Sequence, residues 1–204
     1  MIKIYGSPRS SAGRCYWMLE ELSLPYEVMP LDMRNKEHKS ESYLQINPNG
    51  KVPALIDGDF VIWESMAITH YLAKKYQSPL AAQTPEEDGL IMQWSLWSLV
   101  DLQTPTVDWL IQEIFMPPEK KNPHVIEEAQ KKIPGFLGVL EKSLQNKSYL
   151  VSDRFTVADL NVASVINILT ALKYDLSSFP NVKRWMGLCS ERPAMQRLQK
   201  LREA

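Results

Sequence analysis

The stretch "NPNGKVPALIDGDFVIWES", Asn47 to Ser65, constrains this chain more than any other. Val52, Ala54, Leu55 and Ile56 have the apolar character of a buried strand, yet Pro53 stands inside the run. Proline has no N–H to give to a ladder, so it belongs at the first residue of a strand or at an edge. A cis Val52–Pro53 bond would turn the chain sharply and present the N–H and C=O of Val52 outward. An extended peptide could pair with those groups as an added strand. Asp57-Gly58-Asp59 reads as a tight hairpin turn. Glu64-Ser65 then falls at a strand-to-helix junction, where free N–H groups and the helix dipole attract anions. Ser65 there suits a carboxylate and Glu64 an ammonium beside it. An α-amino acid head group carries both charges. The stretch therefore points to a ligand with a peptide backbone in its middle and an amino acid at one end.

Around it, short strands alternate with helical patterns. "IKIY" and "YEVMPLD" read as strands, and "SSAGRCYWMLEELS" between them places Tyr16, Leu19 and Leu22 at helical spacing. "KSESYLQI" is a short helix ended by Asn47-Pro48. "VPALID" and "DFVIWE" flank the hairpin turn, and "ESMAITHYLAKKY" closes the pattern as a helix. The order βαβαββα is the thioredoxin-like plan, expected over residues 1–77. The polar, proline-bearing "QSPLAAQTPEEDG" reads as a linker, and beyond it no strand is predicted. Residues 85–204 are expected to form an all-helical bundle domain. Thr84 caps its first helix, with Pro85 at the first position. Leu90, Trp94, Trp97 and Asp101 are expected on one face of that helix. Asn122-Pro123 opens another, with Ile126, Ala129, Ile133, Leu137, Leu140 and Leu144 inward. Thr156 and Asp159 form a near capping box, a structural role for Asp159.

Composition narrows the function. With 23 basic and 24 acidic residues the net charge is −1, which gives no sign of a nucleic-acid partner. No apolar run of about 18 residues marks a membrane span, and the N-terminus reads as a strand, not a signal peptide. Cys15 and Cys189 are far apart, form no CxxC and suit a reducing cytoplasm. His38, His70 and His124 are scattered, so no bound metal is expected.

"YGSPRSSAGR" sets Ser10 and Ser11 at the beginning of the first helix. A hydroxyl and free N–H groups there favour a thiolate over a thiol. A free cysteine thiol has a pKa near ~8.5, and lowering it by about two units takes roughly 2.7 kcal/mol. A charge-assisted hydroxyl bond of ~1.5–3 kcal/mol, aided by the helix end, is of that size.

These residues carry a family resemblance over essentially the whole chain. "NPNGKVPALIDGDFVIWES" resembles the glutathione-binding signature of cytosolic glutathione transferases, and "IKIYGSPRSS…LEELSLPYE" resembles their first βαβ unit. "SDRFTVADLNVAS" and "FPNVKRWM…ERPAM" are similar to motifs of their helical domain. The N-terminal stretch looks most like bacterial, serine-type members, with the cyanobacterial-type class as its expected place. The resemblance implies glutathione binding at Val52, Pro53, Glu64 and Ser65, with Lys51, His38 and Lys39 toward the glycyl end. It implies thiolate stabilisation by Ser10, or by Ser11 if the register slides by one. Arg14 departs from the pattern, since a guanidinium one turn from Ser10 could hold the thiolate itself. Trp97 and Asp101 are the candidates on the acceptor side. The implied activity is transfer of glutathione, as co-substrate with no tightly bound cofactor, to small hydrophobic electrophiles by a homodimer. A glutathione-dependent peroxidase or isomerase needs the same thiolate. A non-catalytic, protein-binding relative is the alternative from another class. Trp63, Met66, Ile91 and Trp94 are expected to supply apolar surface beyond what one core covers.

Overall fold

A computed structural model of the chain describes residues 1–203. In chain order the elements are β1 (Ile2–Tyr5), α1 (Gly13–Leu22), β2 (Tyr26–Met29), α2 (Glu41–Leu44), β3 (Ala54–Asp57), β4 (Phe60–Trp63) and α3 (Ser65–Lys75). They continue with α4 (Pro85–Trp97), α5 (Gln103–Leu110), α6 (Pro123–Ser143), α7 (Val157–Ala171), α8 (Pro180–Ser190) and α9 (Pro193–Glu203). The chain divides into two compact units. One runs from Met1 to Ala81 and resumes at Glu191; the other is Ala82–Ser190.

The first unit is thioredoxin-like. Its sheet has the order β2-β1-β3-β4, with β1 parallel to β2 and antiparallel to β3, and β3 antiparallel to β4. The expected hairpin turns at Gly58-Asp59, pairing Asp57 with Phe60. Asp57 ties it to α3: one carboxylate oxygen accepts from Lys75 Nζ at 2.7 Å, Tyr76 Oη at 2.9 Å and Tyr71 Oη at 3.1 Å.

Helix α1 begins at Gly13, so Ser10 and Ser11 lie in the turn before it. Every residue from Gly13 to Leu19 is buried. A helix buried all round needs cover on more than one side, and both α3 and α9 pack on it. Residues 191–203 therefore pack in the first unit, where a continuous helical domain over 85–204 was expected. Charge pairs secure the return. Arg192 grips Glu21 with two bonds of 2.6 and 2.7 Å, and Arg197 Nε meets Glu20 at 2.5 Å.

In the second unit Thr84 caps α4 by accepting from Glu87 N at 3.2 Å, with Pro85 behind it. The single face expected along α4 does not persist. Trp94 is buried, Leu90 is 41% exposed, and Trp97 and Asp101 are half-buried. Asp101 lies in a π-helical turn, Ser98–Leu102, which takes it out of the α register, whereas Leu90 and Trp97 diverge from Trp94 within α4 itself. A second π turn, Ile111–Phe115, follows α5. Helix α6 buries Ala129, Ile133, Leu137 and Leu140 as expected, whereas Ile126 is half-buried. Asp159 is fully buried and joins three segments: it accepts from Leu150 N (2.9 Å), Thr156 N (2.9 Å), Thr156 Oγ1 (3.0 Å) and Trp185 Nε1 (2.9 Å). Burial pushes its carboxyl up, and the four donors oppose that.

Asp159→Ala strands these donors in the interior. The expected loss is about 3–5 kcal/mol, read as a lower urea midpoint by circular dichroism. An unchanged midpoint would show that the hub is dispensable.

Candidate active site

The first unit gathers ten of the predicted site residues, on the turn before α1, the first turn of α1 (Arg14), the loop before β3, the start of α3 and a 3₁₀ turn, Glu37–Lys39. The Val52–Pro53 peptide is cis, and Pro53 is buried directly before β3. The loop before it is held by residues that the sequence did not single out. Buried Asn47 donates from Nδ2 to Lys51 O at 2.6 Å, and Tyr43 Oη reaches the same oxygen at 2.7 Å. Asn47 Oδ1 also accepts from Asn49 N at 3.0 Å. Tyr43 stacks edge-on against Tyr5, with ring centroids 5.5 Å apart. The one signal for Asn47 and Tyr43 was Asn47-Pro48 ending a short helix, read as a boundary and not as a support.

Gly6 brings β1 close to this loop. Its φ is +115°, and a Cβ there would stand 3.0 Å from Val52 Cβ and 3.1 Å from Ala12 Cβ. A side chain would be strained by conformation and crowded by contact. The Gly6 carbonyl accepts from buried Tyr16 Oη at 2.8 Å.

The two serines have different partners. Ser10 Oγ accepts from Ala12 N at 3.2 Å and donates to Ser7 O at 2.7 Å. Ser11, exposed, donates from Oγ to Val52 O at 3.2 Å. Ser11 thus occupies the carbonyl that an added strand would use. The Ser10 hydroxyl is half-buried and polarised by an N–H, which strengthens it as a donor.

Glu64 precedes α3 with φ 73° and ψ 110°, a backbone conformation that a non-glycine residue holds at a cost of order 1–3 kcal/mol. Its side chain is exposed, and Ser65 beside it is buried at the first helical position. Arg14 is 4% exposed. Burial pulls its guanidinium down to about 10, while attraction to Cys15 and Glu64 works the other way. It remains a cation at neutral pH, in the interior. Cys15 donates from Sγ to Ser65 O at 3.6 Å, and burial pushes its thiol up to about 12, so it is no nucleophile at neutral pH. Lys39 Nζ lies on Asn49 O at 3.3 Å. His38 is half-buried, with Nδ1 out of solvent and without a hydrogen-bond partner among the described residues. Lys51 is exposed.

Trp97 and Asp101 belong to the second unit. Trp97 packs edge-on against Trp94 and Phe136, at 5.2 and 6.4 Å between centroids. Asp101 is half-buried. Among the described residues, no group of three or more His, Cys, Asp or Glu is placed to hold a metal, and no helix is long and apolar enough to cross a membrane.

Glu64→Gly removes the backbone strain and is expected to raise the stability of the chain by about 1 kcal/mol, while Glu64→Ala leaves the strain in place. Urea titrations of the pair check this; equal midpoints would mean that the conformation stores nothing.

Residues 1–74 match the family described as glutathione S-transferase, N-terminal domain, and residues 105–193 match glutathione S-transferase, C-terminal domain. Glutathione S-transferase 1 of Zea mays is 33% identical over 208 residues, 98% of this chain and 96% of its own. A solved structure of glutathione S-transferase-I bound with lactoylglutathione superposes with a TM-score of 0.90, at 33% identity, covering 98% of this chain and 99% of that one. Glutathione transferase URE2P6 of Phanerochaete chrysosporium, in complex with oxidised glutathione, gives 0.88 at 31% identity, covering 99% and 96%. The curated relatives include plant phi-class enzymes of Oryza sativa and Arabidopsis thaliana, and this corrects the expected bacterial, cyanobacterial-type class. That expectation leaned on the N-terminal stretch alone, whereas these matches run the length of the chain. The chain belongs to the glutathione S-transferase family.

Proposed function

We propose that the first unit binds glutathione along Val52 and ionises its thiol at the serine turn, for attack on small hydrophobic electrophiles. The observation that carries this is the bond from Ser11 Oγ to Val52 O, which sets the turn within one hydrogen bond of the peptide edge. The cysteinyl backbone of glutathione takes over the Val52 N–H and C=O, releasing Ser11. Its glutamyl head lies at Glu64 and Ser65, the carboxylate on the free N–H groups of α3 and the ammonium on Glu64. Buried Arg14 attracts Glu64 and acts as a support, not as the thiolate's partner. Lys51, Lys39 and His38 face the glycyl carboxylate. Ser10 turns its hydroxyl from Ser7 O to the sulfur. The thiolate then forms the new bond to the electrophile, and the displaced group or the neutralised acceptor leaves.

In this reading residues 1–77, with α9 packed on them, form the glutathione domain, and the helices from residue 85 to Ser190 supply the acceptor side. Trp97 and Asp101 belong to it, and the second unit also exposes Ile111, Ile114 and Phe115 on its second π turn. A homodimer in the cytoplasm completes the proposal. Of the four residues expected to offer surplus apolar surface, Met66, Ile91 and Trp94 are buried at 7%, 1% and 8% exposure, and Trp63 remains at 37%. The exposed apolar surface lies instead on edge strand β4, at Phe60, Val61 and Trp63, and along α4 at Met92 and Leu96. Sedimentation at the monomer mass at micromolar concentration would count against a dimer.

Ser10→Ala is expected to raise the pKa of bound glutathione by one to two units and to cut turnover roughly ten- to hundredfold, through one lost bond of about 1.5–3 kcal/mol. Affinity stays nearly intact, because Val52, Glu64 and Ser65 do the holding. Glu64→Ala does the reverse, weakening binding by about 2–4 kcal/mol. pH–rate profiles and calorimetry separate the two. A thiol pKa that moves in Ser11→Ala and not in Ser10→Ala would shift the role by one residue.

A further inference from the structure

We propose that Arg202, near the end of α9, is a positioning residue that aims the serine turn at the glutathione sulfur; this rests on the role assigned above to Ser10. Residues Ser7 to Ser10 form a β-turn closed by Ser10 N–H on Ser7 O at 2.9 Å. In such a turn the orientation of the central peptide plane separates the common turn types, and its N–H, that of Arg9, donates to Ser7 Oγ at 3.2 Å. Here that plane is Pro8–Arg9, and its carbonyl, Pro8 O, accepts from Arg202 Nε at 3.1 Å. The grip is reciprocal, since Arg9 Nε donates to Arg202 O at 2.6 Å. Each arginine side chain holds the backbone beside the other, on segments at opposite ends of the chain.

Gly13 allows this approach. A Cβ there would lie 2.6 Å from Pro8 O and 2.8 Å from Arg202 Nη2, so any side chain would separate the turn from the guanidinium. Upstream, Arg192 just before α9 and Arg197 on it dock on Glu21 and Glu20. Those contacts deliver α9 to α1, whereas Arg202 alone of the three arginines meets the turn through Pro8. Burial pulls the Arg202 guanidinium down from its ordinary range, which marks a group set in the packing and not on a solvated face. Ser10 closes the turn that Arg202 braces. A shift of about 1 Å at a catalytic group can cost on the order of a hundredfold in rate.

The test compares Arg202→Met, Arg202→Lys, Arg197→Met and Ser10→Ala in the full-length protein. The readouts are the pKa of bound glutathione, from the ultraviolet absorbance of its thiolate against pH, the KM for glutathione, and the thermal midpoint. Arg202→Met is expected to raise the thiol pKa by about one unit and lower turnover about tenfold below that pKa, with KM changed less than about twofold. Arg202→Lys keeps the charge but loses the Nε donor, and should give a smaller shift of the same sign. Should the methionine variant not fold, the lysine variant carries the test. Arg197→Met should lower the midpoint and leave the pKa where it is. A wild-type pKa in the Arg202 variants, beside a raised one in Ser10→Ala, overturns the proposal. So does an equal shift in Arg197→Met, which would mean general loosening of α9. An unmoved pKa in Ser10→Ala removes the Ser10 reading itself, and the proposal falls with it.

Discussion

A helix buried on all sides organises the first unit. From Gly13 to Leu19 helix α1 shows almost nothing to solvent, including Arg14 and Cys15. Apolar area contributes about 25 cal/mol for each Å² covered, so leaving a flank of such a helix open would be costly. Helix α3 covers α1 from nearby in sequence, and α9 covers it from the far end of the chain. Of the arginine pairs that dock α9, Arg192–Glu21 is partly screened from water, where charge-assisted bonds hold their geometry better than on an open surface, while Arg197 is exposed. The turn that carries Ser10 is the N-terminal extension of this buried helix, which is why so exposed a segment has a defined shape.

The site combines rigid support with stored strain. Tyr43 and Asn47 both spend a donor on the carbonyl of Lys51, and Gly6 lets β1 approach Val52 closely. The peptide edge is therefore set before any ligand arrives, which lowers the ordering cost of binding. Glu64 differs: it is held at positive φ next to a helix start, and the buried Arg14 cation attracts it. Such a conformation persists only where the surroundings over-determine it. Cys15 belongs to the same framework, since its neutral thiol caps the Ser65 carbonyl and takes no part in the chemistry.

The second unit depends on a different kind of constraint. Its helices are pinned by single polar hubs: the buried Asp159 for α7 and α8, and the half-buried Glu141, which accepts from the N–H groups of Asn181 and Val182 at the start of α8. Between α4 and α6 the helical pitch changes twice. A π turn leaves one residue more per turn than an α-helix can accommodate, so it re-aims everything downstream. Ile111, Ile114 and Phe115 lie in the second of these turns and are exposed.

By itself the sequence determined the strands, the hairpin at Asp57-Gly58-Asp59, the caps at Thr84, Asn122 and Thr156, and the succession βαβαββα followed by helices. All of these are local: a proline without an N–H, a side-chain oxygen within reach of a free amide, an apolar period. The nature of the candidate site was legible for the same reason, because Val52-Pro53, Glu64-Ser65 and the serine turn each announce their chemistry within a few residues. Only the tertiary structure decided what lies between them. It placed Ser11 on Val52, engaged the Ser10 hydroxyl inside its own turn, buried Arg14, and recruited Tyr43 and Asn47 to hold Lys51. It also returned α9 to the first unit and set Arg202 against Pro8. Contacts between residues distant in sequence leave no period and no spacing to read. They follow from which buried faces need covering once the chain has folded, and the sequence states that need without naming the segment that meets it.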